Sequence, residues 1–185
     1  MRQQIKFNEQ KFKELLLYIA DKCENDPLFG AVKLNKILYL ADNIAYAETG
    51  TPISGADYEA SELGPAPTLL LPIRDDMAAN GDLVVRQRSR FGYLQHRVTP
   101  LREPDLSLFS GQEIAIVDMV IDLCSGGTGR DLTELTHGMY GWKVAEYRET
   151  IPYSAFFLCA APPTKADVER AHELASQLEW GVLNE

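Results

Sequence analysis

The sequence predicts a mainly α-helical fold: a compact multi-helix domain with one β-hairpin, followed by a C-terminal amphipathic helix. Apolar residues recur at helical spacing through most of the chain. One stretch, residues 82–99, alternates apolar and polar residues as paired strands do. Pro162 and Pro163 mark a linker. We therefore divide the chain into a domain at residues 1–159 and a linker with a terminal helix at 160–185.

The N-terminal part predicts two amphipathic helices. The first covers residues 8–24, with Asn8 as its N-cap. The second covers residues 33–48, because Gly50 and Pro52 follow it in the order expected after a helix. The short connection between them indicates that the two helices pack as antiparallel neighbours.

The second helix has a narrow polar and aromatic stripe beside its apolar face. Leu34 belongs to the apolar face. The stripe consists of Asn35, Tyr39, Asp42 and Tyr46. Tyrosines among hydrogen-bonding groups are common in interface anchors, so this stripe is a candidate contact surface. The alternative is that both tyrosines are half-buried under the next segment.

The middle of the chain predicts an irregular or extended segment at 51–64 and a helix from Pro65 to Asn80. Pro72 does not fit a helix interior, so this helix is either kinked or begins later. The hairpin follows, with strands at 82–90 and 93–99 and a turn at Ser89–Gly92. A helix, a glycine and a basic hairpin in this order resemble a winged helix.

The second half predicts further helices. Ser110 and Glu113 form a capping box before a helix that reaches Cys124. This helix is apolar on nearly all sides, so we expect it at the centre of the core. Short helices are predicted at 130–137 and 138–148, and Thr164 caps a last helix that reaches Trp180.

Composition predicts a soluble cytoplasmic protein. Hydrophobic residues make up 45% and charged residues 24% of the 185 residues, and no apolar run approaches the length of a membrane helix. The first ten residues lack the apolar centre of a secretion signal. The three cysteines are an odd number and widely spaced, which is typical of reduced thiols.

The charge pattern separates a basic hairpin from an acidic body. The net charge of −9 argues against non-specific nucleic-acid binding. However, residues 74–102 hold six arginines against three aspartates, a net charge of +3. Arg86, Arg88 and Arg90 project from one face of the predicted strand. They could contact phosphates or the carboxylates of a protein partner, or they could simply form a charged, solvated edge.

No catalytic or metal-binding pattern is legible in the sequence. Gly126-Gly127-Thr128-Gly129 follows a helix and lacks the lysine of a phosphate-binding loop, so we interpret it as a helix end and turn. The three histidines have no ligand-type spacing to other metal-binding residues. We therefore expect no metal, no cofactor and no enzymatic activity.

An ordered series of short motifs carries a resemblance to a known family. The series begins with K-L-N-K-I-L-Y-L-A-D at 33–42 and E-T-G-T-P-I-S-G at 48–55, followed by a Tyr-Glu and a Gly-Pro pair. It continues with E-P-D-L-S-L-F-S at 103–110, L-T-E-L-T-H at 132–137, Trp142 and I-P-Y at 151–153. Together these motifs are similar to the SocA-like antitoxin domains, also called Panacea domains, over most of residues 10–158.

The resemblance implies a role and a set of residues. Panacea-like domains are the antitoxin halves of toxin–antitoxin pairs in prokaryotes and phages, and they neutralise toxins by direct protein contact. The resemblance thus implies a non-catalytic protein whose partner is a toxin encoded by the adjacent gene. The matching positions are Lys33, Leu34, Asn35, Lys36, Tyr39 and Asp42, then Leu63, Gly64 and Pro65. Leu63 and Pro72 depart from the family pattern.

We predict two candidate contact surfaces and one alternative function. Partner binding is expected at the second helix and at the hairpin arginines. In the helix the candidates are Lys33, Asn35, Lys36, Tyr39, Asp42 and Tyr46. Trp142, Leu34 and the Leu63-Gly64-Pro65 motif are expected to be structural. The alternative is a winged-helix-like transcriptional regulator that binds operator DNA; no oligomeric state is predicted.

Overall fold

The structure, a computed structural model, describes residues 5–90, 93–158 and 164–177. Its α-helices are α1 (Glu9–Lys22), α2 (Ala31–Thr49), α3 (Leu70–Ala79), α4 (Gly111–Cys124), α5 (Gly129–His137), α6 (Tyr140–Val144) and α7 (Lys165–Gln177). Its strands form two antiparallel hairpins, β1 (Tyr58–Ser61) with β2 (Gly64–Pro67) and β3 (Leu83–Arg90) with β4 (Tyr93–Pro100). The mainly α-helical class with a hairpin is confirmed.

Helix α2 lies at the centre of the fold. It packs against α1, α4, α5, β2 and β4. Ile37, Leu38 and Ala41 are fully buried, as the apolar face predicts. Leu40, on another side of the helix, is also buried, so the helix is surrounded by other elements. Gly50 ends it in the left-handed conformation, with φ 77°.

Helix α4 does not take the central position predicted for it. The capping box of Ser110 and Glu113 is present, as predicted. Ile116, Val117 and Val120 are buried. However, Met119 and Leu123 are 46% and 64% exposed, respectively. The prediction of a fully enclosed α4 is wrong because α2 already occupies the centre and covers only one side of α4.

The segment between α2 and α3 contains a short hairpin that the sequence reading missed. Strands β1 and β2 pair in register from Tyr58–Pro67 to Ser61–Gly64. Helix α3 consequently begins at Leu70, which confirms the later start over the start at Pro65. Pro72 then lies in the first turn, where its missing N–H has no intrahelical partner to lose.

The β3–β4 hairpin matches its prediction closely, with Val85 opposite Val98 and Arg86 opposite Arg97. Its predicted turn includes residues 91–92, which lie outside the described residues. The predicted linker at 160–163 and the predicted helix end at Trp180 also lie outside them. The division at residue 159 stays a prediction.

Candidate functional site

The two lysines of the family motif are buried, contrary to the exposure expected of contact residues. Lys33 is 1% exposed; its Nζ lies 2.6 Å from Oδ2 of Asp26 and donates to the Gly127 carbonyl at 3.0 Å. Lys36 is also 1% exposed and donates to the Pro65 carbonyl at 2.9 Å. Burial lowers the pKa of Lys36 to about 7. Lys33 therefore joins α2 to two neighbouring loops, and Lys36 joins it to β2.

The Gly64-Pro65 motif shapes the backbone above Lys36. Gly64 has φ 91°, a conformation that side-chain-bearing residues rarely adopt. A Cβ there would lie 2.6 Å from Oγ1 of Thr136 and 2.7 Å from Nζ of Lys36. Leu63, one residue earlier, is 55% exposed. The motif thus brings the β1–β2 turn into close contact with α2 and α5.

Asp42 is the centre of a buried hydrogen-bond network. Its carboxylate accepts from the Ser54 backbone N–H at 2.7 Å, the Ser54 hydroxyl at 2.5 Å and the Tyr58 hydroxyl at 2.7 Å. The Tyr153 hydroxyl lies 3.3 Å away. Burial raises the pKa of Asp42, and these donors oppose that effect. Asp42 therefore holds together three segments of the chain, and no part of it is exposed.

The predicted surface stripe is consequently divided between core and surface. Tyr39 is buried, with its ring edge-to-face on Tyr58 at 5.2 Å. Lys33, Lys36, Tyr39 and Asp42 are all buried because α2 is covered on several sides, and partner binding by these residues stays a prediction. Tyr46 is half-buried, with its ring 5.4 Å from Tyr153 and 5.8 Å from the exposed Phe157. Partner binding by Tyr46 stays a prediction.

Asn35 is a motif residue with an unmet hydrogen-bonding requirement. Its side chain is half-buried, and Oδ1 is buried without a hydrogen-bond donor among the described residues. Leu34, its neighbour, packs in the core as predicted. Asn35 lines a surface cleft between α2, β2, α3 and the β3–β4 hairpin. This residue, unlike the buried lysines, borders space that another molecule can enter.

Trp142 connects α6 to the β1–β2 hairpin. Its indole N–H donates to the Ser61 carbonyl at 3.1 Å. Its ring stacks on His137 with centroids 3.6 Å apart and planes 12° apart. Burial, and then the charge of Lys36, lowers the pKa of His137. His137 and Trp142 therefore pack together beside the β1–β2 turn, which contains Gly64.

The hairpin arginines separate into free and structural side chains. Arg86 and Arg88 are exposed and have no ion-pair partner in the described part of the chain. Arg90 is in β3, but its side chain lies outside the described residues. Arg97, opposite Arg86, is buried and donates to the backbone carbonyls of residues 23, 24 and 26.

Two other arginines of the basic segment are paired with carboxylates. Arg102 binds Glu14 at 2.7 Å and Asp82 at 2.6 Å. These partners raise the pKa of Arg102, and Arg102 lowers the pKa of Glu14. Arg74 binds the adjacent Asp75 at 2.7 Å. The free positive charge of the segment is therefore concentrated at the outer end of the β3–β4 hairpin.

The chemistry of the described residues offers no obvious reactive centre. No group of three or more metal-binding side chains lies together in the ranges that the structure describes. Burial raises the pKa of Cys23 and of Cys124 to about 11, which disfavours the reactive thiolate.

Among the described residues, no helix combines the length and apolar character that a membrane span requires.

These features define a helical protein whose motif residues are mostly structural and whose free polar groups lie at a cleft and a basic hairpin. The sequence model of the family described as "Antitoxin SocA-like, Panacea domain" matches residues 34–143, more than half of the chain. The chain belongs to this family. No curated protein and no solved structure matches it significantly.

Three groups of residues have structural roles that the sequence did not indicate. Ser54, Tyr58 and Tyr153 fall within the family motifs, but only the fold shows that they bind Asp42. Arg97 was counted in the basic segment, but it is buried. Arg148 has φ 66° and borders the same cleft as Asn35. Only tertiary contacts reveal these roles.

Proposed function

We propose that this protein is an antitoxin that neutralises a cognate toxin by direct protein binding, without catalysis, in the cytoplasm. The observation that carries the proposal is membership of the SocA-like Panacea family, whose matched region contains α4, α5 and most of α2. We further propose that the toxin is encoded by the adjacent gene. A protein that acts by binding requires a rigid scaffold and free surface groups, and it does not require a reactive centre.

The exposed arginines support the β3–β4 hairpin as one contact surface. Arg86 and Arg88 are separated by one residue on the same strand face. Guanidinium groups bind carboxylates with two parallel hydrogen bonds, so a pair of free arginines suits an acidic patch on a protein partner. Tyr46 and Phe157 offer a second, aromatic surface near the C-terminal end of α2.

A winged-helix-like regulator remains the second candidate because the same arginines could contact phosphates. The helix that would enter the major groove is α3, which precedes the hairpin. The exposed side of α3 carries Asp75 and Asp76. Carboxylates at that position repel the DNA backbone, as does the net charge of −9. These charges favour a protein partner over operator DNA.

Co-expression with the product of the adjacent gene tests the proposal. We expect that product to arrest growth alone, and we expect this chain to restore growth and to co-purify with it. Combined Arg86→Ala and Arg88→Ala should weaken the complex, whereas Arg130→Ala should not, since Arg130 lies on α5 and is already paired with Glu134.

A neighbour that is harmless alone and never co-purifies would contradict the proposal. Salt-sensitive binding to upstream DNA, lost in the Arg86→Ala and Arg88→Ala protein, would then support the regulator.

A further inference from the structure

A cleft of about 340 Å³ lies between α2, β2, α3 and the β3–β4 hairpin. We call it the α2–α3 cleft. Its apolar side is formed by Leu34, Pro67, Leu70, Leu71, Val85 and Val98. Its polar side includes Asn35, Glu59, Arg74, His96 and Arg148. The volume lies within the range of about 300–1,000 Å³ that ligand sites occupy.

Asn35, which lines the cleft, carries an unused hydrogen-bond acceptor. Oδ1 of Asn35 is buried, and no donor reaches it within the described residues. A buried acceptor without a donor costs folding free energy, which an incoming N–H group recovers. Asn35 therefore suits a ligand that presents an N–H donor.

Arg148, which also lines the cleft, is held in an unfavourable backbone conformation. Its φ of 66° is the only positive value at a non-glycine residue in the described ranges. The backbone around it is fixed to β1: Arg148 N–H donates to the Ala60 carbonyl at 2.8 Å, and Ala60 N–H donates to the Glu149 carbonyl at 2.9 Å. Backbone strain of this kind persists where surrounding contacts impose it, and it is often found at functional sites.

The charges of the cleft favour an anionic ligand. Arg74 uses Nε and one terminal nitrogen for Asp75, which leaves donors of its guanidinium free. Arg148 has no ion-pair partner among the described residues. Glu59 is the one carboxylate among the lining residues, against Arg148 and the guanidinium donors of Arg74 that Asp75 leaves free.

We propose that the α2–α3 cleft binds an extended segment of the toxin, with an acidic side chain between Arg74 and Arg148 and an N–H donor on Asn35. The apolar side then covers neighbouring carbons of the segment. This inference rests on the proposed function and adds to it the place and chemistry of the contact. The exposed Leu71, at the rim of the cleft, lies where such a segment enters.

Two substitutions separate binding from folding. Asn35→Leu removes the unpaired acceptor, so it should leave the melting temperature unchanged or higher. Arg148→Gly relieves the positive φ and should likewise preserve the fold. Each should raise the Kd for the adjacent-gene product about tenfold, since each removes one buried or charged contact. Arg130→Ala, which removes an arginine far from the cleft lining, should leave the Kd unchanged.

Photo-cross-linking locates the contact directly. A benzophenone side chain at Leu71 should cross-link to a toxin peptide that contains Asp or Glu. The same group at Leu123, which is 64% exposed on α4, serves as the control and should not.

The outcomes distinguish the two proposals. Wild-type affinity in both folded variants, or cross-linking from Leu123 alone, overturns the cleft and leaves the antitoxin function standing. If Asn35→Leu fails to fold, Arg148→Gly alone decides. Failure of the wild-type protein to bind the adjacent-gene product overturns both proposals.

Discussion

Gly64 and Lys36 approach each other so closely that neither position is independent of the other. A Cβ on Gly64 would lie 2.7 Å from Nζ and 2.9 Å from Cε of Lys36. The same amine donates to the carbonyl of the next residue, Pro65. The family motif in α2 and the Gly-Pro motif that follows it are thus two sides of one buried contact.

Gly64→Ala should destabilise the protein by about 2–4 kcal/mol, the sum of a left-handed backbone and a clash with Lys36 and Thr136. Denaturant unfolding checks this value. Gly50→Ala is the matched control, since Gly50 also has a positive φ but has no atom within 4 Å of its added Cβ. It should cost only the backbone term, about 1 kcal/mol. Equal losses of unfolding free energy at both positions would show that the close contact with Lys36 and Thr136 does not affect stability.

Lys36 should make the stability of the protein increase with pH. Its pKa falls from an ordinary value of 10.5 to about 7 on folding. Between these values the unfolded chain binds more protons than the folded one, so the free energy of unfolding rises with pH. From pH 7 to pH 9 this gain is about 2 kcal/mol.

Comparison with Lys36→Met isolates the contribution of Lys36. The variant lacks the amine, so denaturant unfolding should give it a smaller gain between pH 7 and pH 9 than the wild type shows. The raised pKa values of Cys23 and Cys124 act in the opposite direction, but they are present in both proteins. If the unfolding free energies of the two proteins change in parallel with pH, the lowered pKa of the buried Lys36 amine is contradicted.

The elements that the sequence predicted well are those with local signals. Asn8 and Ser110 cap α1 and α4 as their side chains suggest, and the alternation in β3 marks the hairpin. Strands β1 and β2 are four residues each, and β2 contains two prolines, so neither shows a strand pattern. Their pairing depends on the turn at Gly64, whose conformation becomes clear only in the fold.

The candidate site was harder to predict because charged side chains are normally exposed. Lys33 and Lys36 are buried through contacts with Asp26, Gly127 and Pro65, which come from other segments. Leu40 lies on the same side of α2 as these lysines, and it was the one local signal that this side is covered. The free arginines of β3 and the unpaired oxygen of Asn35 required the tertiary structure to be recognised.

Asp42→Ala should destabilise the protein severely. The substitution removes the acceptor of the buried Ser54 backbone N–H and hydroxyl, and it leaves the Tyr58 hydroxyl with only the Leu38 carbonyl, at a cost of about 3–5 kcal/mol. Ser54→Ala removes one hydroxyl and leaves the other donors in place, so about 1–2 kcal/mol is expected. Denaturant unfolding of the two variants shows which of them loses more stability. A larger loss for Ser54→Ala would contradict Asp42 as the centre of the network.

Alanine substitutions at Tyr39 and Tyr46 should differ in their effect on stability, because Tyr39 lies in the core and Tyr46 lies near the surface. Tyr39 is 1% exposed, so Tyr39→Ala leaves a cavity in the core and should cost about 3–5 kcal/mol. Tyr46 is half-buried against Tyr153 and Phe157, and Tyr46→Ala should cost about 1–2 kcal/mol while keeping the helical circular dichroism signal.

The binding measurement then applies to the variant that stays folded. If the aromatic surface at the end of α2 contacts the toxin, Tyr46→Ala should raise the Kd for the adjacent-gene product about tenfold. Less of that product should then co-purify with the variant. Leu123→Ala, on the exposed face of α4, is the control and should leave affinity unchanged. Wild-type affinity in folded Tyr46→Ala would remove this surface from the interface, because the substitution deletes the half-buried aromatic ring while its supporting helix remains.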